Sequence, residues 1–582
     1  LNPSATERAT SSPSPSPLPG PLSSSLRIAG VALLAAASLA LGGCAEPDAG
    51  PRTILFVSID TARADTVRFD DPSTTPNMSA LAERGVIFDE AVSGTSWTLP
   101  SHVQMFTGQD PQVHGVNFDD VQIDPRTPTL AQLLQEDGWF TAGVFSGWYL
   151  IKDYGFARGF DIYENGMDGG TAFERELREA RRIEGEADRA EAMAAIWDRA
   201  DRVSHEGVTS PTVVEKAIGA IDSAADEDLF LFVHLFDPHY DYVPPPEIAR
   251  RFDPDYTGTM TGRNFFHNPA VWDKERKRRV IGDRDLEHVK ALYRGEVYFT
   301  DDYIGRLLDH LDAVGRLDDT FVVIVGDHGE EFFEHGGRGH RNTLFEEQLR
   351  VPMLMVPPRR GFEGAARGSV VDAQTSLSDL VPTLTEVLGL TAEHATGRSL
   401  VGALRGEPLE SRPERAFLKP FPDIRMGGEV GARGVQEVYH HYVEAWRTPD
   451  AKFTRHFVYR SVEGTFVAKE AWFTPLDEDP AEQTFVTDPT DERFLAAWER
   501  MEELNARARS LVASQERSED SARVSMANDL LGGVLEELGY AEGAGPTDGS
   551  TSIPQASYEV PWGLAPPPAI PLEEHLESLL RR

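Results

Sequence analysis

Cysteine occurs once in 582 residues, at Cys44, so an intramolecular disulfide and a cysteine-built metal site are both excluded. Positive charge is scarce too: 56 Lys and Arg stand against 95 Asp and Glu, a net charge of −39. A surface of that sign repels nucleic acid and anionic lipid at long range, which argues against binding along a phosphate backbone. Long apolar runs are also missing. The longest, Ile28 to Leu41, has fourteen residues, too few to span a bilayer. What is present is 40% apolar and 26% charged residues, the composition of a globular chain large enough for more than one folding unit.

The fourteen-residue run follows Arg27 and leads into Gly42, Gly43 and Cys44. Its length suits the apolar core of a signal peptide. Leu41-Gly42-Gly43-Cys44 resembles a bacterial lipobox, whose cysteine is lipidated and becomes the new N-terminus. The resemblance implies a lipoprotein signal peptide over 1–43 and a membrane anchor at Cys44; the bland alternative is a buried helix with an incidental cysteine. Ala45 lacks the aspartate that often retains lipoproteins at the inner membrane. The expected location is therefore the cell envelope, at the outer membrane and facing the periplasm or the exterior.

A linker over 44–51 precedes the first strand-like run, Thr53 to Ile59. Further apolar runs are Leu229 to Leu235, Phe321 to Val325 and Val351 to Val356. Continuous apolar runs suit strands buried on both faces, as in a mostly parallel sheet. Between them lies an amphipathic pattern, Ile304, Leu307, Leu308, Leu311 and Val314, with helical spacing. The alternation predicts a layered α/β catalytic domain over 52–405, its large central sheet flanked by helices. A smaller β-rich subdomain is expected over 406–540 and a Gly/Pro-rich tail over 541–582, with a terminal helix at Leu572 to Leu580. Two inserts interrupt the pattern: a charged, helix-favouring stretch from Phe173 to Glu206, and a basic knot, Asp273 to Arg279, read as a solvated helix face.

Chemistry-bearing groups stand at strand ends. Asp60 follows the first run, and Asp327-His328 follow the third. Ligands gather beyond the carboxyl ends of parallel strands, so these groups can converge on a divalent metal. An aspartate after a strand is also a common helix cap, and spacing alone leaves both readings open.

Residues 95–115 read TSWTLPSHVQMFTGQDPQVHG. Thr98-x-Pro100-Ser101-His102, then Thr107-Gly108 and His114-Gly115, resembles the nucleophile motif of the sulfatases, within the alkaline phosphatase superfamily. Ordered matches follow at Ile54 to Asp65, Phe232 to Pro244, Tyr293 to Leu308, Gly326 to Pro352 and Ala471 to Gln483. The resemblance implies a metal held by Asp60, Thr98, Asp327 and His328. It also implies Arg341 against the substrate and His239 or His340 protonating the leaving oxygen; His102 is read equally as pocket wall or as substrate contact.

Departures from the pattern matter as much. A sulfatase makes formylglycine from Cys or Ser, but oxidation of threonine at Cβ gives a ketone, so no formylglycine is expected at Thr98. The arginine that follows in the family is His102, one paired aspartate of the first strand is Thr61, and a late lysine is Arg341. An unmodified Thr places the site nearer the phosphodiesterase and phosphotransfer branches. A hydroxyl nucleophile needs a base or a metal to lower its pKa. Zn2+, Mn2+, Ca2+ and Mg2+ all remain open, and Asp237, His239 and His340 offer a possible second metal site. Some residues are read blandly: His234 as a satisfied core histidine, His335 as a loop residue, His114 as structural, and Glu330, Glu331 and Glu334 as a solvated loop.

The reading is a metal-dependent hydrolase or transferase of phosphate or, second, sulfate esters. Its substrate would be a small molecule, a glycan or a lipid headgroup, with Thr98 attacking. The alternatives are a formylglycine-type sulfatase in family name only, and an inactive envelope protein that binds glycans or anionic headgroups.

Overall fold

The computed structural model describes residues 51–514, apart from 118–121, 168–169, 181, 184–191, 193–194, 197–207, 267, 274–275, 277, 420–422, 427–435 and 461–464. The expected signal peptide, Cys44, most of the charged insert and the C-terminal tail with its expected helix lie outside the described residues.

Eight strands build the central sheet. They are β1 (Thr53–Ile59), β2 (Val86–Phe88), β3 (Phe140–Phe145), β4 (Ile162–Asn165), β5 (Leu229–Leu235), β6 (Thr320–Gly326), β7 (Met353–Val356) and β8 (Ser369–Val371). Their order is β8-β2-β7-β6-β1-β5-β3-β4. Five neighbours, β6 to β4, run parallel, and β7 is antiparallel to both β6 and β2. β1, β5 and β6 are buried along their whole length, which is why they read as unbroken apolar runs.

Strand periodicity divides β1 between two cores. Ile54 and Phe56 join a cluster on one face, with Leu99, Val103, Phe106, Phe230 and Phe232. Leu55, Val57 and Ile59 join the other, under α2 (Ser210–Ala224) and α3 (Asp283–Ala313). The predicted stripe lies on α3: Ile304, Leu307, Leu308 and Leu311 are buried, while Val314 falls just past the helix end and is exposed. On the first face sits α1 (Thr98–Thr107), anchored by Phe106 edge-on to Phe232 at 4.8 Å. Each such fully buried phenyl ring contributes about 1.5–3 kcal/mol.

A second, five-stranded antiparallel sheet follows: β9 (Glu414–Leu418), β10 (Asp423–Met426), β11 (Gln436–Arg447), β12 (Ala451–Arg460) and β13 (Thr465–Pro475). α4 (Glu492–Ser514) covers it, packing Phe494, Trp498 and Met501 on Trp446, Phe453 and Phe473. Three of these strands have ten to twelve residues, longer than the short strands expected from the sequence.

The described ends of the basic knot are strand rather than helix. Trp272–Asp273 pairs antiparallel with Arg278–Arg279. The reason is Trp272, which is buried in the second core and stacks on Phe333, pinning one arm of the hairpin.

Candidate active site

The site gathers at the carboxyl ends of β1, β5 and β6, where two polar residues continue the faces of buried strands. Ser58 extends the Ile54–Phe56 face of β1, and His234 sits opposite it in register on β5. Ser58 Oγ donates to His102 Nε2 at 2.9 Å, and Ser101 Oγ donates to the Asp327 carbonyl at 2.7 Å. These two bonds fix α1, and Thr98 at its first turn, against β1 and the end of β6. Gly108 ends the helix at φ 68°, a left-handed conformation that glycine adopts without strain.

Thr98 Oγ1 lies 3.2 Å from His328 Nε2. The same nitrogen is 3.4 Å from Asp327 Oδ2 and 3.8 Å from Asp60 Oδ1. Asp60, Asp327 and His328 are wholly buried, with their donor atoms within 4.8 Å of one another. Asp327 Oδ1 accepts the backbone N–H groups of Thr61 and His328, at 3.0 and 2.7 Å, which aims Oδ2 into the site. That Oδ2 is buried and takes no hydrogen bond. Burial first, and the Asp60 charge second, push the Asp327 carboxyl well above its usual range. Burial pushes His328 well below the imidazole range, so the ring is neutral and in its ligand form. Buried facing carboxylates beside a neutral imidazole are costly alone and fit a divalent cation.

Thr61 and Arg341, both beside these groups in sequence or charge, have φ of 49° and 73°. Positive φ at a β-branched threonine is strained, and such strain persists only where the surroundings enforce it. Here Tyr293 Oη donates to the Thr61 carbonyl at 2.7 Å. Arg341 stacks its guanidinium 3.7 Å from the Trp97 ring centre and donates to Tyr149 Oη at 3.1 Å. Trp97 immediately precedes Thr98, so this cation is held over the start of α1.

The remaining candidates divide. His239 and His340 lie edge to face, ring centres 4.9 Å apart, and His340 is 4.5 Å from the His328 ring. Asp237 does not join them. Its carboxylate accepts Thr209 N, Ser210 N and Ser210 Oγ at 2.6–3.1 Å, so it caps α2. A second metal on Asp237, His239 and His340 is therefore not assembled by these side chains. His102, read as pocket wall or substrate contact, is fully buried behind Thr98, with Nδ1 donating to the Thr98 carbonyl at 2.8 Å, so it is not a substrate contact. His114 Nδ1 accepts Val116 N at 3.0 Å, within a local turn.

Two readings change. Glu330 and Glu331 are buried rather than solvated, and Glu334 is partly buried beside Arg63. Glu330 Oε1 accepts His340 Nδ1 at 3.0 Å, and its Oε2 accepts Tyr242 Oη at 3.1 Å; burial pushes this carboxyl up to about 8. His234, read as a core histidine, places Nε2 3.3 Å from Asp60 Oδ2. The sequence signal was a histidine near the carboxyl end of a strand buried on both faces, where a polar group needs a partner. Tyr149 and Trp97 carried no such signal.

The sheet and strand-end site have the form of alkaline phosphatase superfamily hydrolases. The sulfatase family model matches residues 52–390, and the chain belongs to the sulfatase family. It is 25% identical over 485 residues to N-acetylglucosamine-6-O-sulfatase of Bacteroides thetaiotaomicron, covering 71% of this chain and 78% of that one. To the multifunctional alkaline phosphatase superfamily protein PehA of Trinickia caryophylli it is 23% identical over 427 residues, covering 64% and 81%. Among solved structures, phosphonate monoester hydrolase of Agrobacterium radiobacter matches with TM-score 0.55 at 21% identity, over 79% of this chain and 96% of that one. That last likeness is one of fold.

Proposed function

We propose that the protein is a metal-dependent hydrolase or transferase of phosphate esters, with the unmodified Thr98 as nucleophile. The observation that carries this reading is the Thr98 hydroxyl, 3.2 Å from His328 Nε2 and at the start of a ten-residue helix. A divalent ion held by Asp60, Asp327 and His328 would supply Lewis-acid activation of the hydroxyl and of the ester oxygen. The Thr98 hydroxyl gives up its proton to water, and the Oγ1–P bond forms as the bond from phosphorus to the leaving oxygen breaks. That oxygen takes a proton from His340 or His239. Arg341 and the positive helix end face the charge that develops on the phosphoryl oxygens. Water, or an acceptor alcohol, then displaces Thr98 in the second step.

Sulfate esters are the second reading, favoured by the names of relatives such as N-acetylglucosamine-6-O-sulfatase. The test strips residues 46–582 of metal, reloads the protein separately with Zn2+, Mn2+, Ca2+ or Mg2+, and compares initial rates on aryl phosphate monoester, phosphodiester, phosphonate monoester and sulfate. A phosphoester preference supports the first reading, and a sulfate preference replaces it with the second.

We further propose anchoring through lipidated Cys44, which places the enzyme on the envelope surface. Cys44→Ser then loses incorporated palmitate and leaves the membrane fraction; unchanged labelling rejects the anchor.

A further inference from the structure

Two fully buried histidines face the same carboxylates, and only His328 has a role so far. His328 donates its Nδ1–H to the Gly329 carbonyl at 2.9 Å, and His234 donates its own to the Ser146 carbonyl at 2.6 Å. A carbonyl can only accept, so each neutral ring carries its proton on Nδ1 and a lone pair on Nε2. In His234 that lone pair is buried, accepts no hydrogen bond, and points at Asp60 Oδ2 from 3.3 Å. A lone pair facing a carboxylate oxygen is repulsive unless a proton or a metal cation lies between them, and a metal there also serves the Asp327 and His328 donors gathered at the same carboxylate. His102, the third ring of the cluster, differs, because its Nε2 accepts the Ser58 hydroxyl.

We propose that His234 is a further ligand of the ion attributed to Asp60, Asp327 and His328. The site then offers two imidazoles and two carboxylates, and it selects Zn2+ over Ca2+ and Mg2+. Calcium and magnesium prefer shells made of oxygen, whereas nitrogen donors in a small, closed site suit zinc. A backbone carbonyl fixing the tautomer of each ring is the usual outer-shell arrangement for metal-bound histidine. The fold makes the pairing natural: His234 and Ser58 are register partners, and Asp60 follows Ser58 by two residues, just past the strand end. A polar side chain is admitted to that buried face only where it meets a compensating group.

The inference rests on the metal site of the proposed function but not on its chemistry. X-ray absorption at the zinc edge of the Zn2+-loaded wild-type chain counts imidazole ligands directly. Titration of metal-stripped wild type and His234→Gln with Zn2+ and with Ca2+ reads affinity. The expected results are two imidazoles in wild type and one in the variant. Zn2+ affinity of His234→Gln falls by more than the about 10–100-fold typical of an outer-shell change, while Ca2+ affinity barely moves. One imidazole in wild type, or His234→Gln matching wild type in count and affinity, overturns the proposal; the wild-type count needs no variant to fold. A wild-type chain that binds no ion overturns this inference and the metal-dependent reading together, whereas an ion bound through one imidazole overturns this inference alone.

Discussion

His340 donates its Nδ1–H to Glu330 at 3.0 Å, and Glu330 is itself held by Tyr242 against a wall with no solvent access. Glu330 fixes which nitrogen of His340 faces the site and, in its ionised form, would balance a protonated His340 in the proposed reaction. Glu330→Gln keeps a hydrogen-bonding group of the same shape but cannot supply the charge. We expect kcat to fall about 10–100-fold with KM little changed, a part of the about 100–10,000-fold that general acid–base catalysis contributes. Steady-state kinetics of this variant beside Glu330→Asp, which restores charge, check it; equal rates for Gln and wild type would reject the role.

Metal binding should fail before the fold does when Asp327 loses its charge. Asp327→Asn keeps the backbone N–H contacts to Oδ1 but removes the anionic Oδ2 donor. The expected outcome is loss of both bound metal, by elemental analysis, and turnover, with cooperative unfolding retained. An Asn variant that keeps metal and activity would rule out the assigned site.

The histidine of the loop after β6 sets a pH limit on stability. Burial lowers the affinity of His335 for its proton, but the hydrogen bond and charge of Glu347, at 2.8 Å, outweigh this and raise it from 6.5 to about 9. A folded-state pKa above the unfolded one contributes stability that is complete below about pH 6.5 and is lost as pH rises through about 9. The shift corresponds to on the order of 3 kcal/mol. Urea unfolding at pH 6 and pH 9.5 should show the wild type losing more stability than His335→Gln over that interval.

A buried charge cluster links the second sheet to the segment before β7. Lys452, on β12, is fully buried and donates to Glu482 at 2.7 Å, to Glu346 at 3.2 Å and to the Leu344 carbonyl at 2.9 Å. Glu482 in turn accepts Glu346 N at 2.8 Å. Removing one partner leaves a buried charge uncompensated, which typically costs about 3–5 kcal/mol. Lys452→Met should lower unfolding free energy by that amount in denaturant titration, and Lys452→Met with Glu482→Gln should recover part of it.

Much of this was legible in the chain. The runs at Thr53 to Ile59 and Leu229 to Leu235 became strands with those same bounds, because strands buried on both faces leave no polar interruption to blur their ends. Asp60, Asp327, His328 and Thr98 were legible by position, as groups at strand ends and in a motif. Roles that depend on direction were not. Asp237 reads like a ligand in the sequence, yet it points at the α2 N-terminus. Glu330 sits among acidic neighbours that resemble a solvated loop, but the loop folds inward over the sheet end. The segment Ala471 to Gln483 matched a motif with no stated purpose; its Glu482 is the partner of Lys452. Such contacts join residues tens to hundreds of positions apart, and no local pattern encodes them.

The most direct test of the account is the turnover of Thr98→Ala against wild type on an aryl phosphoester, both loaded with the same metal to the same occupancy. The account predicts a fall of at least about 1,000-fold in kcat with metal retained, since removal of a nucleophile takes away the bond-forming step itself. Retention of most of the wild-type rate would contradict it.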